Sequence, residues 1–194
     1  GTQMLTKGHH FPAVSLVAVI DADAMLFSAD FRGEERMAQL LTQVAGRAGR
    51  AEIPGEVLLQ THYPDHPALQ AMLSMNYADQ ARTMLAGRAA AGMPPAGQLV
   101  VLRSDCDDAS RGEQFLQHLR DQAGKALPVG AQLIGPLPSP MQRRAGKFRS
   151  QLIILASDRR AAHAAASLMV SLAEAAKARR DLKWTIDIDP QDLY

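Results

Sequence analysis

Val14-Ser15-Leu16-Val17-Ala18-Val19-Ile20, followed at once by Asp21-Ala22-Asp23, is the stretch on which the fold reading turns. A nearly unbroken apolar, β-branched run signals a strand covered on both faces, as in the middle of a parallel sheet. The aspartates then stand at its C-terminal end, where open α/β sheets present functional side chains. Outward from there, Met37, Leu40, Leu41 and Val44 recur at helical spacing within Glu34–Ala45, and Gly46 can end that helix. After Pro54-Gly55, the run Glu56-Val57-Leu58-Leu59-Gln60-Thr61 is a second strand. Strand, helix, strand in this order implies a parallel crossover, the second half of an α/β layer. The chain starts at Gly1-Thr2-Gln3-Met4 and reaches a strand almost immediately, so the expectation is a piece of a longer protein.

From His66 to Ala91 the pattern is helical, with Leu69, Met72, Leu73, Tyr77, Ala81, Met84 and Leu85 on one side and Met72, Met75 and Met84 expected in the core. Met93-Pro94-Pro95-Ala96-Gly97 breaks the pattern and sets the expected boundary between domains at 1–93 and 98–194. Beyond it come a strand at Gln98–Ser104, a helix from Asp108 to Ala126 with Phe115, Leu116 and Leu119 inward, and a strand at Ala131–Leu137. A basic loop, a strand at Phe148–Ala156, an alanine-rich helix at Arg159–Arg180 and a strand at Trp184–Ile188 complete it. That order, β-α-β-β-α-β, is the split βαβ arrangement of an α+β, ferredoxin-like sheet.

Bulk composition narrows the function classes. With 47% hydrophobic and 21% charged residues the chain is ordinary globular material. Its formal net charge of +1 places any affinity for nucleic acid in local clusters. One cysteine, Cys106, excludes an intramolecular disulfide framework and a cysteine-only zinc site; it reads as a small residue near a strand end in a reducing, cytoplasmic protein. The longest apolar run is far shorter than the roughly 20 residues of a membrane-spanning helix.

The stretch with the most chemistry is Gln43-Val44-Ala45-Gly46-Arg47-Ala48-Gly49-Arg50. Here a helix ends at Gly46 and two arginines, spaced three apart, project from the following turn, where glycines let a partner approach the backbone. Guanidiniums held together are costly without an anion between them, and a triphosphate fits, with arginine stabilising charge that develops on the γ-phosphoryl group. The bland alternative is a solvated basic turn.

The form Q-x-x-G-R-x-G-R resembles motif six of superfamily-two helicases, and Gly1–Pro12 followed by the first strand resembles motif five. The wording T-Q-M-x-x-K-G-x-x-F-P, D-x-D, L-F-S-A-D-F-R-x-x-E-R, T-Q-V-A-G-R-A-G-R, G-E-V-x-L-Q-T and the closing W-x-x-D-x-D-P is similar to the family of primosomal protein N-prime (PriA), over essentially the whole chain. The resemblance implies the second RecA-like lobe of an ATP- and magnesium-dependent 3′-to-5′ DNA helicase that recognises stalled and branched forks and starts primosome assembly. By resemblance Gln43, Arg47 and Arg50 are catalytic, Gly8, His10 and Gly46 bind nucleotide, and Thr2, Gln3 and Lys7 meet the DNA backbone. Many relatives carry an acidic residue where His10 stands, and for His9 and His10 a polar loop is an equal alternative. Zinc belongs to a part of such proteins not represented here. Forked and single-stranded DNA, other primosome proteins and single-stranded-DNA-binding protein are the implied partners. No G-x-x-x-x-G-K-[ST] or D-E-x-H motif occurs in the chain, so it is expected not to hydrolyse ATP by itself.

In the second half, Met141-Gln142-Arg143-Arg144-Ala145-Gly146-Lys147-Phe148-Arg149 places four cations in seven positions between two strands. Arg143, Arg144, Lys147 and Arg149 are expected to contact phosphates. Phe148 is read as starting a strand with its ring buried, with stacking on an unpaired base as the alternative. Lys177-Ala178-Arg179-Arg180 complements a helix C-terminus, Arg159-Arg160 sits unfavourably near a helix start, and Asp187 and Asp189 share a strand face in a structural or interface role. Two other readings stay open: a non-catalytic nucleic-acid-binding module, and part of another superfamily-two (branch-migration) helicase.

Overall fold

The computed structural model describes residues 15–45, 56–124, 126–176 and 181–193. It is a mixed α/β chain that divides into two compact units, Gly1–Met84 and Leu85–Tyr194. The division falls inside a helix, some residues before the proline pair expected to mark it.

In the first unit β1 (Leu16–Val19) pairs in parallel with β2 (Glu56–Leu59), Leu16 opposite Glu56 through Val19 opposite Leu59. Between them lie α1 (Asp23–Leu26), a short turn of helix that sequence periodicity is too coarse to find, and α2 (Gly33–Ala45). Met37, Leu41 and Val44 of α2 pack with Val19, Ala22, Leu26 and Leu69, while Leu40 is partly buried against the same cluster. The helical stretch after β2 is two helices, α3 (Pro67–Ser74) and α4 (Tyr77–Ala90). Its apolar side is only partly used: Leu69 is buried and Met72 packs on the core, but Leu73, Met75, Tyr77 and Leu85 are exposed. Met75 therefore leaves the expected core set. In its place Gln80 is buried, and its Nε2 donates to Met72 O at 2.9 Å and Met75 O at 2.7 Å. A polar side chain thus satisfies carbonyls freed where α3 stops.

The second unit contains β3 (Gln98–Cys106), α5 (Ala109–Ala123), β4 (Ala131–Arg144), β5 (Lys147–Ala156), α6 (Arg159–Ala175) and β6 (Lys183–Ile188). The sheet runs β4-β5-β3-β6 with every neighbouring pair antiparallel. Both helices are N-capped by aspartate: Asp108 accepts from Ser110 N at 2.9 Å, and Asp158 from Ala161 N at 2.9 Å. The second cap supplies an acceptor beside Arg159-Arg160, whose position looked unfavourable in the sequence.

Val100 and Leu102 of β3, Leu152 and Ile154 of β5, Leu116 and Leu119 of α5 and the alanine stripe Ala162, Ala165, Ala166 and Ala173 of α6 form the core, with Phe115 packed at its edge. Small side chains let the helices lie close to the sheet; Ser104 Oγ donates to Gly112 O at 3.1 Å, and a Cβ on Gly112 would meet Ser104 Oγ at 3.1 Å. Cys106 ends β3 and is 1% exposed. By strand alternation Leu99, Val101, Arg103 and Asp105 face the other way, and on β5 so do Leu155, Ile153, Gln151 and Arg149. β4 is an edge strand carrying Pro136, Pro138 and Pro140, three alternate positions with no N–H to offer another strand.

Candidate nucleic-acid interface

The basic segment is not a loop. β4 runs through Arg144 and β5 starts at Lys147, so Ala145 and Gly146 alone make the turn. Both have positive φ, 49° and 84°, as the two central residues of a type I′ hairpin turn require. Arg143 stands opposite Phe148 and Arg144 opposite Lys147. Below them the ladder shifts: the four residues Ser139–Gln142 between Pro138 and Arg143 face a single residue of β5, Arg149. A bulge of this kind bends a ribbon away from its sheet. The result is a short β-prong whose last residues, Met141 through Gly146, are all exposed.

The four expected phosphate contacts divide on this prong. Arg143 and Arg144 are exposed, and among the described residues neither has a carboxylate within ion-pair distance. The Arg143 guanidinium lies over the Phe148 ring, 5.1 Å from its centroid, and its Nε donates to Gly146 O at 3.4 Å. Lys147 is half-buried at the root, its Nζ donating to Asp181 O at 3.1 Å and lying 3.7 Å from Asp107 Oδ1. Arg149 departs from expectation. It is 7% exposed, and its Nε donates to Asp105 Oδ1 at 3.0 Å across the β3–β5 pair. A guanidinium withdrawn from water and matched to a carboxylate is a structural anchor, so Arg149 leaves the phosphate-contact set. Phe148 is corrected as well: it is the second residue of β5, and it is 36% exposed where a buried side chain was expected.

Around the root, Arg111 bridges two carboxylates, Nε to Asp108 at 3.2 Å and Nη1 to Asp181 at 2.5 Å. Hydrogen bonds from the Ser110 hydroxyl and then from Arg111 hold the Asp108 carboxyl down at about 2. Deeper in the sheet Arg103 meets Asp187 at 3.5 Å and donates to Asp192 O at 3.2 Å, which gives Asp187 a structural partner. Asp189 takes φ 55°, and its N–H continues the ladder to Leu99 O at 2.9 Å.

The first unit presents a second polar group at the C-terminal ends of its parallel strands. The Asp23 carboxylate accepts from the Thr61 hydroxyl, from His62 N at 3.0 Å, and lies 2.7 Å from His62 Nδ1. These bonds, the Thr61 hydroxyl first, lower its pKa. Beside it Tyr63 packs edge-on to Phe27 with centroids 4.8 Å apart, and His66 does the same at 5.6 Å. Sequence reading placed Asp23 at a strand end but had no signal for Thr61 or His62, which reach it from 38 and 39 residues away. Gln43 is exposed on α2. Thr2, Gln3, Lys7, Gly8, His10, Gly46, Arg47, Arg50 and the Lys177–Arg180 cluster lie outside the described residues. Among the described residues no group of three or more His, Cys, Asp or Glu is arranged to hold a metal ion, and no helix is long and apolar enough to cross a membrane.

Fold and prong together define a two-unit α/β protein that displays an anchored cationic hairpin. Comparison with known proteins gives the family. The primosomal protein N C-terminal domain matches residues 89–191, and the chain belongs to that family. It is 42% identical over 197 residues to the replication restart protein PriA of Haemophilus influenzae, covering all of this chain and 26% of that protein. The proteins of the same name from Synechocystis and Bacillus subtilis are 40% and 35% identical over 79% of the chain. The chain thus spans about a quarter or less of the length of these relatives.

Proposed function

We propose that this chain serves replication restart as part of an ATP-dependent 3′-to-5′ DNA helicase acting on stalled or branched forks, and that its second unit is a DNA-contacting domain. In this reading the first unit is the closing part of a RecA-like helicase lobe and the second is ferredoxin-like. Support comes from family membership, from the parallel β1–β2 pair with α1 and α2 between, and from the antiparallel order β4-β5-β3-β6. By resemblance, nucleotide and magnesium would be met by Gly8, His10, Gly46, Arg47 and Arg50, together with Gln43 on α2. The setting is cytoplasmic, and the partners are forked and single-stranded DNA with other primosome proteins.

One observation carries the DNA reading: Arg143 and Arg144 are exposed at the end of a prong closed by a two-residue turn, with no acidic partner among the described residues. A chain of net charge +1 that leaves two arginines uncompensated on a fixed turn displays them for an external anion. The test is fluorescence anisotropy on forked DNA and on linear duplex across a salt series. Fork affinity should exceed duplex affinity, and Arg143→Ala with Arg144→Ala should weaken both and flatten the salt slope. A double variant that binds both DNAs like the parent, with the same slope, removes the prong from the interface.

A further inference from the structure

The prong has two faces of different chemistry, and only one of them is explained by phosphate contact. Residues opposite one another in an antiparallel ribbon share a face. Arg144 and Lys147 make one such pair, all cation. Arg143 and Phe148 make the other, and they are stacked. Phe148 belongs to the same side of β5 as Leu152 and Ile154, yet it is not among the hydrophobic residues packed on the core; the ribbon carries it past the cover that α5 and α6 provide. Phe148 keeps 36% of its surface exposed, and that exposed part of the ring contributes nothing to folding. The neighbouring pair does not hold it for an intramolecular purpose either, because Arg143 is itself exposed and ends in solvent.

From this we infer that the Arg143–Phe148 stack is a platform for an unpaired nucleobase of single-stranded DNA. The inference rests on the DNA-contact reading above and adds to it a base-binding face separate from the phosphate-binding one. Planar guanidinium and phenyl surfaces both accept a base face, without regard to its sequence. Pre-ordering is what makes such a platform effective, since a backbone already fixed leaves less freedom to lose when the base arrives. The prong is ordered three times over: by the Ala145-Gly146 turn, by the tie from Lys147 to Asp181 O at 3.1 Å, and by the Arg149–Asp105 pair at 3.0 Å. Base pairs in a duplex are stacked on their neighbours and offer no free face, so the platform selects unpaired positions, and the exposed Arg144 holds the backbone alongside.

The test compares a labelled oligothymidylate with the same strand carrying abasic sites, by anisotropy with the full chain. The parent should bind the base-bearing strand more tightly by about 5-fold or more, as expected for one aromatic–base stack. Phe148→Leu keeps an apolar side chain but no ring, and should abolish that preference; Phe148→Tyr should retain it. Arg144→Ala should weaken binding to both strands alike. If the parent binds both strands equally while Arg144→Ala still weakens both, the base platform is overturned and the DNA-contact reading stands. If Phe148→Leu keeps the preference, the platform is likewise overturned. If neither strand is bound at low salt, both readings fail together.

Discussion

Arg143 and Arg144 at the tip of the prong and Arg149 and Arg103 near its root are the same residue type on adjoining stretches of one sheet, and they end in opposite environments. The first pair is exposed; each of the second keeps 8% of its side-chain surface. The composition around them does not separate them, because Arg149 belongs to the same basic run as the tip. Register does. Arg149 stands where β5 has β3 on one side and the bulged β4 on the other, opposite Asp105. Arg103 lies one step further in, opposite Gln151, with Asp187 across from the neighbouring Val101. A cation flanked by strands loses water and is kept only where a carboxylate or carbonyl meets it. A cation beyond the last flanking strand keeps its water and stays available to a ligand. The binding set of this hairpin is therefore decided by where the sheet ends.

The largest effect expected from this contrast is on stability. Arg149→Ala should lower the unfolding free energy by about 2–3 kcal/mol, toward the low side for breaking a buried pair because Asp105 remains 36% exposed. Arg143→Ala and Arg144→Ala should each stay within about 0.5 kcal/mol of the parent, as surface substitutions do. Urea unfolding of the three variants measures this directly, and equal midpoints would erase the distinction between tip and root. In DNA binding the order reverses. Loss of one tip cation should lower the slope of log affinity against log salt by about 0.7 on single strands.

The turn that joins the two arms offers a second, smaller effect of either sign. Gly146 has φ 84° and open space around its missing Cβ, so Gly146→Ala meets no clash but forces a left-handed alanine, at about 1–2 kcal/mol. Ala145 already sits at φ 49°, and Ala145→Asn, giving the Asn-Gly pair that such turns favour, should recover up to about 1 kcal/mol. Both are read by thermal or urea midpoints. If neither variant moves the midpoint, the prong is not held by its turn, and the pre-ordering argument for the Arg143–Phe148 platform weakens with it.

What the sequence disclosed of all this follows a physical line. The first strand was legible from its apolar run, but that run was read as covered on both faces, whereas β1 (Leu16–Val19) pairs only with β2 among the described residues and leaves Leu16 and the following Ile20 exposed. The helix at Glu34–Ala45 was legible because it buries a periodic face against elements close by. The β-α-β-β-α-β order was legible for the same reason. The prong was read as a loop because nothing apolar alternates through Met141–Gly146; its strands continue on backbone pairing and turn geometry, which leave no periodic trace. Arg149 was misassigned because its partner Asp105 lies 44 positions earlier. Gln80 was passed over because a buried amide reads as a surface residue until the carbonyls of Met72 and Met75 are known to need it. Phe148 was given a core that does not reach it: it pairs with Cys106 of β3 but is not packed on the helix-covered cluster, and 36% of it stays exposed.

The smallest effect expected lies in acid. Asp108 caps α5 beside the root of the prong and accepts from Ser110 N at 2.9 Å, Ser110 Oγ at 2.7 Å and Arg111 Nε at 3.2 Å. Those donors favour the charged carboxylate and place its pKa at about 2 against an ordinary 3.8. A folded-state value below the unfolded one means that the charged cap contributes stability fully above the ordinary value and loses it as pH falls toward 2. Asparagine is an equally good cap but does not titrate in that window. The gap in urea midpoint between the parent and Asp108→Asn should therefore be constant near neutrality and narrow, or change sign, across that acid window. Asp23 and Asp158 are also lowered, but both are common to the two proteins and cancel in the difference. A gap that does not change with pH would mean that the carboxylate contributes only as a hydrogen-bond acceptor.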